Sequence, residues 1–256
     1  MERSWLPGGF RSGFFDDPVA SGRISCGGVT LMKKSVLSAM VVLLLLGVAA
    51  YAAFFVAPTD AKQGVIYRIL YLHVASAWTG LTSFFICFIA NSLYVLRRQP
   101  RWDWLGVSAG ETGLVFTTVV LLTGPIWAHP VWGIWWTWDA RLTSTFVLWL
   151  LYVSYLLLRT LVEEPDRRAL LSALFGIFAF IDVPLVFGSI RWWRTQHPQP
   201  IIMGAPGAGL DPTMYRVLFF TWLAMLGLMT LLLRQRYRLE AMRGDLEIIQ
   251  RELEAA

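Results

Sequence analysis

Six apolar stretches dominate this chain, at positions 36–57, 74–96, 105–125, 142–161, 169–190 and 215–233. Each is about as long as the roughly 20 helical residues that cross a 30 Å hydrocarbon core. Backbone groups inside lipid must find their partners within the segment, so these stretches are expected to be helices. The expected fold class is therefore all-α: a polytopic membrane protein with six transmembrane helices in contact with the lipid bilayer. Composition agrees. Of the 256 residues 56% are hydrophobic and only 15% charged, against about a quarter charged in soluble domains.

Placement of Lys and Arg predicts orientation. One set of flanks holds Lys33, Lys34, Arg97, Arg98, Arg101, Arg159, Arg167, Arg168, Arg234, Arg236, Arg238, Arg243 and Arg251. The other holds only Lys62, Arg68, Arg141, Arg191, Arg194 and Arg216. The richer set is assigned to the cytoplasm, which puts both termini inside and the 127–144 connection outside. The net charge of +5 is scattered through loops, which gives no case for nucleic-acid binding.

Residues 1–31 are rich in Gly, Ser and Arg and lack periodicity, so they are expected to be a disordered N-terminal extension. Met32-Lys33-Lys34 before an apolar run reads as a natural start. From there the first helix resembles a secretory signal, but its 22-residue apolar run favours an uncleaved anchor. Residues 32–238 form the six-helix domain. Residues 239–256 read as a cytoplasmic amphipathic tail, with Leu239, Met242, Leu246, Ile249 and Leu253 along one side, lying on the membrane surface.

Five of the thirteen tryptophans fall between Trp127 and Trp138, in the run WAHPVWGIWWTWDARLT. Trp132, Trp135, Trp136 and Asp139 recur at i, i+3, i+4 and i+7, which predicts an amphipathic helical shelf. An interfacial aromatic belt accounts for Trp102, Trp104 and Trp222, and in part for Trp192-Trp193, but poorly for this cluster. Only three histidines exist, His73, His129 and His197, and all map to the outer side. Imidazole binds Zn, Cu, Fe or haem iron. A structural zinc site wants four closely arranged ligands, whereas three separate loops with no Cys nearby fit better the one or two axial imidazoles of a haem. Arg141, Arg191 and Arg194 are candidate propionate partners, because guanidinium pairs bidentately with carboxylate.

Other chemistries find no support. There is no P-loop, no nucleophile elbow and no C-x-x-C-H, so nucleotide hydrolysis, acyl transfer and covalent haem attachment are not encoded, and no enzymatic activity is expected. Cys87 reads as a small buried hydrophobe. Glu111 and Asp182 lie within helices, where charge is costly. For both, a structural and a functional role stand equal: Ser108 or Thr112 can hydrogen-bond a protonated Glu111, and Asp182 lies just before Pro184, where freed backbone groups need partners.

WGIWWTWDARLTS at 132–144 resembles the tryptophan-rich WWD signature of haem-handling proteins in cytochrome c biogenesis. YRILYLHV at 67–74 and WWRTQH at 192–197 are similar to the two histidine segments that flank it in the cytochrome c maturation protein C (CcmC) family. The resemblance runs from about Met32 to Arg238. It implies that His73 and His197 are axial ligands of a haem b, held non-covalently and transiently. It implies a platform of Trp127, Trp132, Trp135, Trp136, Trp138 and Asp139 beneath that haem, with His129, Arg141, Arg191 and Arg194 as further contacts. The implied partners are a periplasmic haem chaperone, the ATPase and membrane subunits of an ABC transporter, and a small single-helix membrane subunit, all at the bacterial inner membrane. A donor must release its cargo, so ligation by surface histidines is expected to be weak and exchangeable.

The chain departs from the family pattern in having Val74-Ala75 where Pro commonly follows the first histidine, and His129 where Lys is usual. A resident cytochrome c synthetase, which shares the signature, carries more helices and histidines. A plain permease or scaffold would bind no haem.

Overall fold

The computed structural model describes residues 27–198 and 210–254. Regular structure among them is helical, apart from one isolated bridge between Asp60 and Gly64. The elements are α1 (Gly27–Tyr51), α2 (Ile69–Arg97), α3 (Pro100–Trp132), α4 (Ala140–Leu161), α5 (Pro165–Phe180), α6 (Asp182–Trp192) and α7 (Pro212–Glu254). A π-helical turn (Ala52–Val56) extends α1, and a 3-10 turn (Val65–Arg68) leads into α2. With α5 and α6 taken together, six spans are long and apolar enough to cross a membrane, as expected. Two compact units divide the chain, residues 1–39 and 40–256. The described part of the first is the opening of α1. The expected N-terminal extension lies mostly on residues 1–26, outside the described residues, but Gly27–Leu31 belong to α1.

Within the second unit, α2 packs against α3, α5 and α7, while α4 packs against α3, α5 and α6. Small residues allow the approach. Gly106 and Gly110 stand four apart on α3, the spacing that lets membrane helices meet closely. A methyl on Gly106 would lie 2.6 Å from Asn91 Oδ1, and one on Gly110 would lie 2.9 Å from Tyr155. Gly113 makes room for the Phe84 ring, which stacks on Tyr152 with centroids 3.7 Å apart. Cys87 is fully buried in this core, as expected.

Three features differ from the sequence reading. The fifth span is broken at Ile181 into α5 and α6. Pro184 has no N–H to return to the Phe180 carbonyl, so the helix cannot run through unaltered. The tail also continues the last span without a break: α7 is one helix of 43 residues. At about 1.5 Å per residue it is about 64 Å long, roughly twice a hydrocarbon core.

The charges inside the helices are the third. Glu111 does not bond Ser108 or Thr112, whose hydroxyls donate to Trp104 O and Ser108 O. It pairs instead with Arg236 of α7, whose Nη2 lies 2.7 Å from Glu111 Oε1. Asp103 and Arg159 form a bidentate pair at 2.6 and 2.9 Å, with both side chains only 9% exposed. These pairs lie at the end of the bundle away from the histidines. Asp182 is buried, and its Oδ2 makes no hydrogen bond to the described protein atoms.

Candidate functional site

The Trp-rich segment is not a helical shelf. Helix α3 ends at Trp132, where Gly133 takes the left-handed conformation (φ 74°) and its N–H closes the helix on His129 O. Residues 133–139 then run without helix to α4. Trp132, Trp135, Trp136 and Asp139 therefore do not share one helical face, and the i, i+3, i+4, i+7 spacing is coincidental.

Asp139 has a specific place in this connection. It is the N-cap of α4: Oδ1 accepts the N–H groups of Arg141 and Leu142, both at 3.0 Å. Oδ2 accepts the Thr137 hydroxyl at 3.1 Å and the Gln196 N–H at 3.3 Å. Asp139 thus ties the tryptophan segment to the loop that carries His197. Replacing Asp139 with Ala is expected to lower stability by about 1 kcal/mol, the usual worth of an N-cap, whereas Asn should retain most of it. Thermal unfolding in detergent is the check.

Beside this segment α2, α3, α4 and α6 enclose a cavity of about 810 Å³. His73, His197, Trp127, Trp132, Trp136, Arg141 and Arg191 all line it, together with apolar residues such as Leu81, Leu121 and Leu148. That size lies within the range of small-molecule sites. His73 comes from the first turns of α2 and is 8% exposed, so it is not the surface ligand the sequence suggested. His197 follows α6 outside any helix and is half-buried. Their ring centroids are 6.5 Å apart, with planes inclined by 35°.

Both imidazoles are oriented by bonds from one nitrogen. His73 Nδ1 lies 2.8 Å from Thr123 Oγ1. His197 Nδ1 lies 2.9 Å from the Pro198 carbonyl, which can only accept, so that nitrogen carries the proton and Nε2 is bare. A metal ligated by one nitrogen from each ring holds the ring centres roughly 6 Å apart, from a metal–nitrogen distance of about 2 Å and a ring radius of about 1 Å. The observed span fits one metal ion between the rings. Among the described residues no group of three or more His, Cys, Asp or Glu could hold a metal ion. Two imidazoles are enough for a metal whose remaining positions are filled by its own ligand, as in haem.

Trp127 braces His73. Its ring meets the His73 ring edge-on with centroids 5.8 Å apart and meets Tyr67 in the same way at 5.7 Å. Its indole N–H donates to Gln63 Oε1 at 2.7 Å. Arg141 donates to the Val186 carbonyl and so links α4 to α6. Burial, followed by the nearby Arg141 guanidinium, pushes the His197 imidazole down to about 4 from its usual 6.5.

The remaining expected site residues lie elsewhere. His129 is exposed and stacks on Trp135 with centroids 4.2 Å apart, off the cavity wall. Trp135 and Trp138 are 58% and 75% exposed and do not line the cavity, nor does the exposed Arg194. Sequence reasoning missed Thr123, Gln63 and the cavity-lining Trp78 and Trp192. The partners of His73 and Trp127 stand 50 and 64 residues away along the chain, with no local signal to link them.

Comparison with known proteins then gives a decisive match: the family model for "Heme exporter protein C" covers residues 27–252. The chain belongs to the heme exporter protein C family. Heme exporter protein C of Bradyrhizobium diazoefficiens is 33% identical over 82% of this chain and 76% of its own length. The protein of that name from Haemophilus influenzae is 30% identical over 83% and 87%, respectively. A ccmC-like mitochondrial protein of cytochrome c biosynthesis from Marchantia polymorpha is 33% identical over 68% and 74%. The family match spans α2, the tryptophan segment and the His197 loop alike, so the whole cavity lies within the matched region.

Proposed function

We propose that this chain holds a haem between His73 and His197, over Trp127, Trp132 and Trp136, and hands it on for cytochrome c maturation. The observation that carries this reading is the pair of imidazoles 6.5 Å apart on the wall of an apolar cavity. Membership of the heme exporter protein C family supports haem handling. Arg141 and Arg191 bring positive charge to the same wall, where two propionates need it. The neutral rings supply lone pairs, the indoles supply flat apolar area, and the chain acts as a carrier, not a catalyst.

The cargo is haem b, bound without a covalent link. The basic flanks support a location in the inner membrane with both termini in the cytoplasm and the cavity at the periplasmic face. The recipient is a periplasmic haem chaperone. The exposed Trp135 and Trp138 offer it an apolar landing beside the cavity. The assembly includes the ATPase and membrane subunits of an ABC transporter and a small single-helix subunit. Release is helped by His197 standing on a loop, where one ligand can leave while His73 stays fixed in α2.

Purification of the protein from cells making haem tests the reading: haem should co-purify in the absence of reducing or ligating additives, and excess imidazole should displace it. A preparation without haem under all conditions opposes it. The pH dependence has a definite sign. A histidine whose imidazole is depressed to about 4 stays neutral well below its usual 6.5, so haem should be retained from neutral pH to about 5 and lost towards 4. The same depression means the unfolded chain binds the proton first, so His197 lowers stability as pH falls from 6.5 towards 4. Haem absorbance across a pH titration measures the first effect, and retention that halves near 6.5 would oppose it.

A further inference from the structure

We infer that Thr123 is a positioning residue for ligation through His73, because its hydroxyl dictates which nitrogen of that imidazole is bare. The inference rests on the haem-holding reading above. Thr123 stands on α3, and its Oγ1 lies 2.8 Å from His73 Nδ1. The same hydroxyl lies 2.7 Å from the Val119 carbonyl and 3.3 Å from the Val120 carbonyl. A hydroxyl has one proton, and a carbonyl can only accept. With the Thr123 proton on the Val119 carbonyl, the shortest of these contacts, its lone pairs face His73. His73 Nδ1 must then be the donor. A neutral imidazole carries one N–H, so Nε2 is left as a lone pair.

This matters because only the bare nitrogen can bind a metal. A ring free to exchange tautomers would present an N–H to the iron part of the time. The bond also fixes the ring orientation and raises the basicity of the opposite nitrogen, as outer-shell acceptors do for metal-bound histidines. Thr123 is itself buried, so the N–H of His73 has no ready substitute in water. His197 reaches the same state through the main-chain carbonyl of Pro198. Among the described residues His73 is set by a side chain and His197 by the main chain, so substitution can release the first.

The neighbouring Gly124 provides a control. A methyl added there would lie 3.5 Å from His73 Cε1, an ordinary contact that leaves the hydrogen bond intact.

The test uses the full-length protein in lipid with ¹⁵N-labelled histidine, its His73 signals assigned by their absence in His73→Ala. Before any haem is added, wild type, Thr123→Ser and Gly124→Ala should show His73 as the single Nδ1–H tautomer. Thr123→Val, which keeps the side-chain volume but offers no acceptor, should lose that single state. On titration with haem, Thr123→Val should bind about 10–100-fold more weakly, the usual effect of removing an outer-shell partner, and Thr123→Ser should restore binding. Thr123→Val with the wild-type tautomer and wild-type affinity, while His73→Ala loses haem, overturns the role of Thr123 alone. Retention of haem by His73→Ala overturns the ligation reading beneath it.

Discussion

Substitution of His73 or His197 by Ala is expected to lower haem retention by more than about 100-fold. Removal of an outer-shell partner of a metal ligand already costs about 10–100-fold, and these two residues are the ones proposed to touch the iron itself. The two variants should differ in detail. His73→Ala opens a hole in a buried wall between α2 and α3, braced by Trp127, where little can enter to replace the ring. His197→Ala opens the half-buried loop side, where added imidazole can take the missing place and restore haem. His129→Ala should leave haem content unchanged, because that ring stacks on Trp135 away from the cavity. Haem per protein, measured after purification with and without imidazole, distinguishes the three. Full loss in His129→Ala, with retention in the other two, would reverse the assignment.

The second large effect concerns stability. Asp103→Ala or Arg159→Ala should destabilise the protein by about 3–5 kcal/mol, because each leaves its partner as an uncompensated buried charge. The two side chains are 9% exposed and joined by two hydrogen bonds, so water replaces a lost partner poorly. Replacing both together by apolar residues of similar volume should recover most of the loss, since removal of a whole buried pair is often close to neutral. The Glu111–Arg236 pair, 28% exposed on each side, should matter less when broken. Denaturation in detergent, read by helical content, measures each change. Equal losses for the single and double variants at Asp103 and Arg159 would contradict this account.

What was legible beforehand follows from the range of each interaction. The six spans could be read because a membrane helix announces itself locally, through a run of apolar residues as long as the bilayer is thick. His73 and His197 could be singled out because orientation rules place both on one side, and family resemblance named them as a pair. The shape of the tryptophan segment was misread although its signals were present. Gly133 stands where a helix stops, and Asp139 precedes the helix it caps. The regular spacing of Trp132, Trp135 and Trp136 outweighed both. Pro184 likewise marked the break in the fifth span.

Other features lay beyond any local pattern. The ion pair of Glu111 with Arg236 joins residues 125 apart, and Thr123 meets His73 across 50. Nothing in either neighbourhood specifies the partner, since each contact exists only once α3 has packed against α7 or α2. The same holds for the division of the tryptophans. Trp127 and Trp136 line the cavity while Trp135 and Trp138 face outward, because the connection after Gly133 is not helical.

The measurement that tests the central claim most directly is electron paramagnetic resonance of the haem-loaded protein with ¹⁵N-labelled histidine. The account predicts one low-spin, six-coordinate iron with two histidine nitrogens, and loss of one such nitrogen in each of His73→Ala and His197→Ala. Haem bound with an unchanged spectrum when both His73 and His197 are replaced would contradict it.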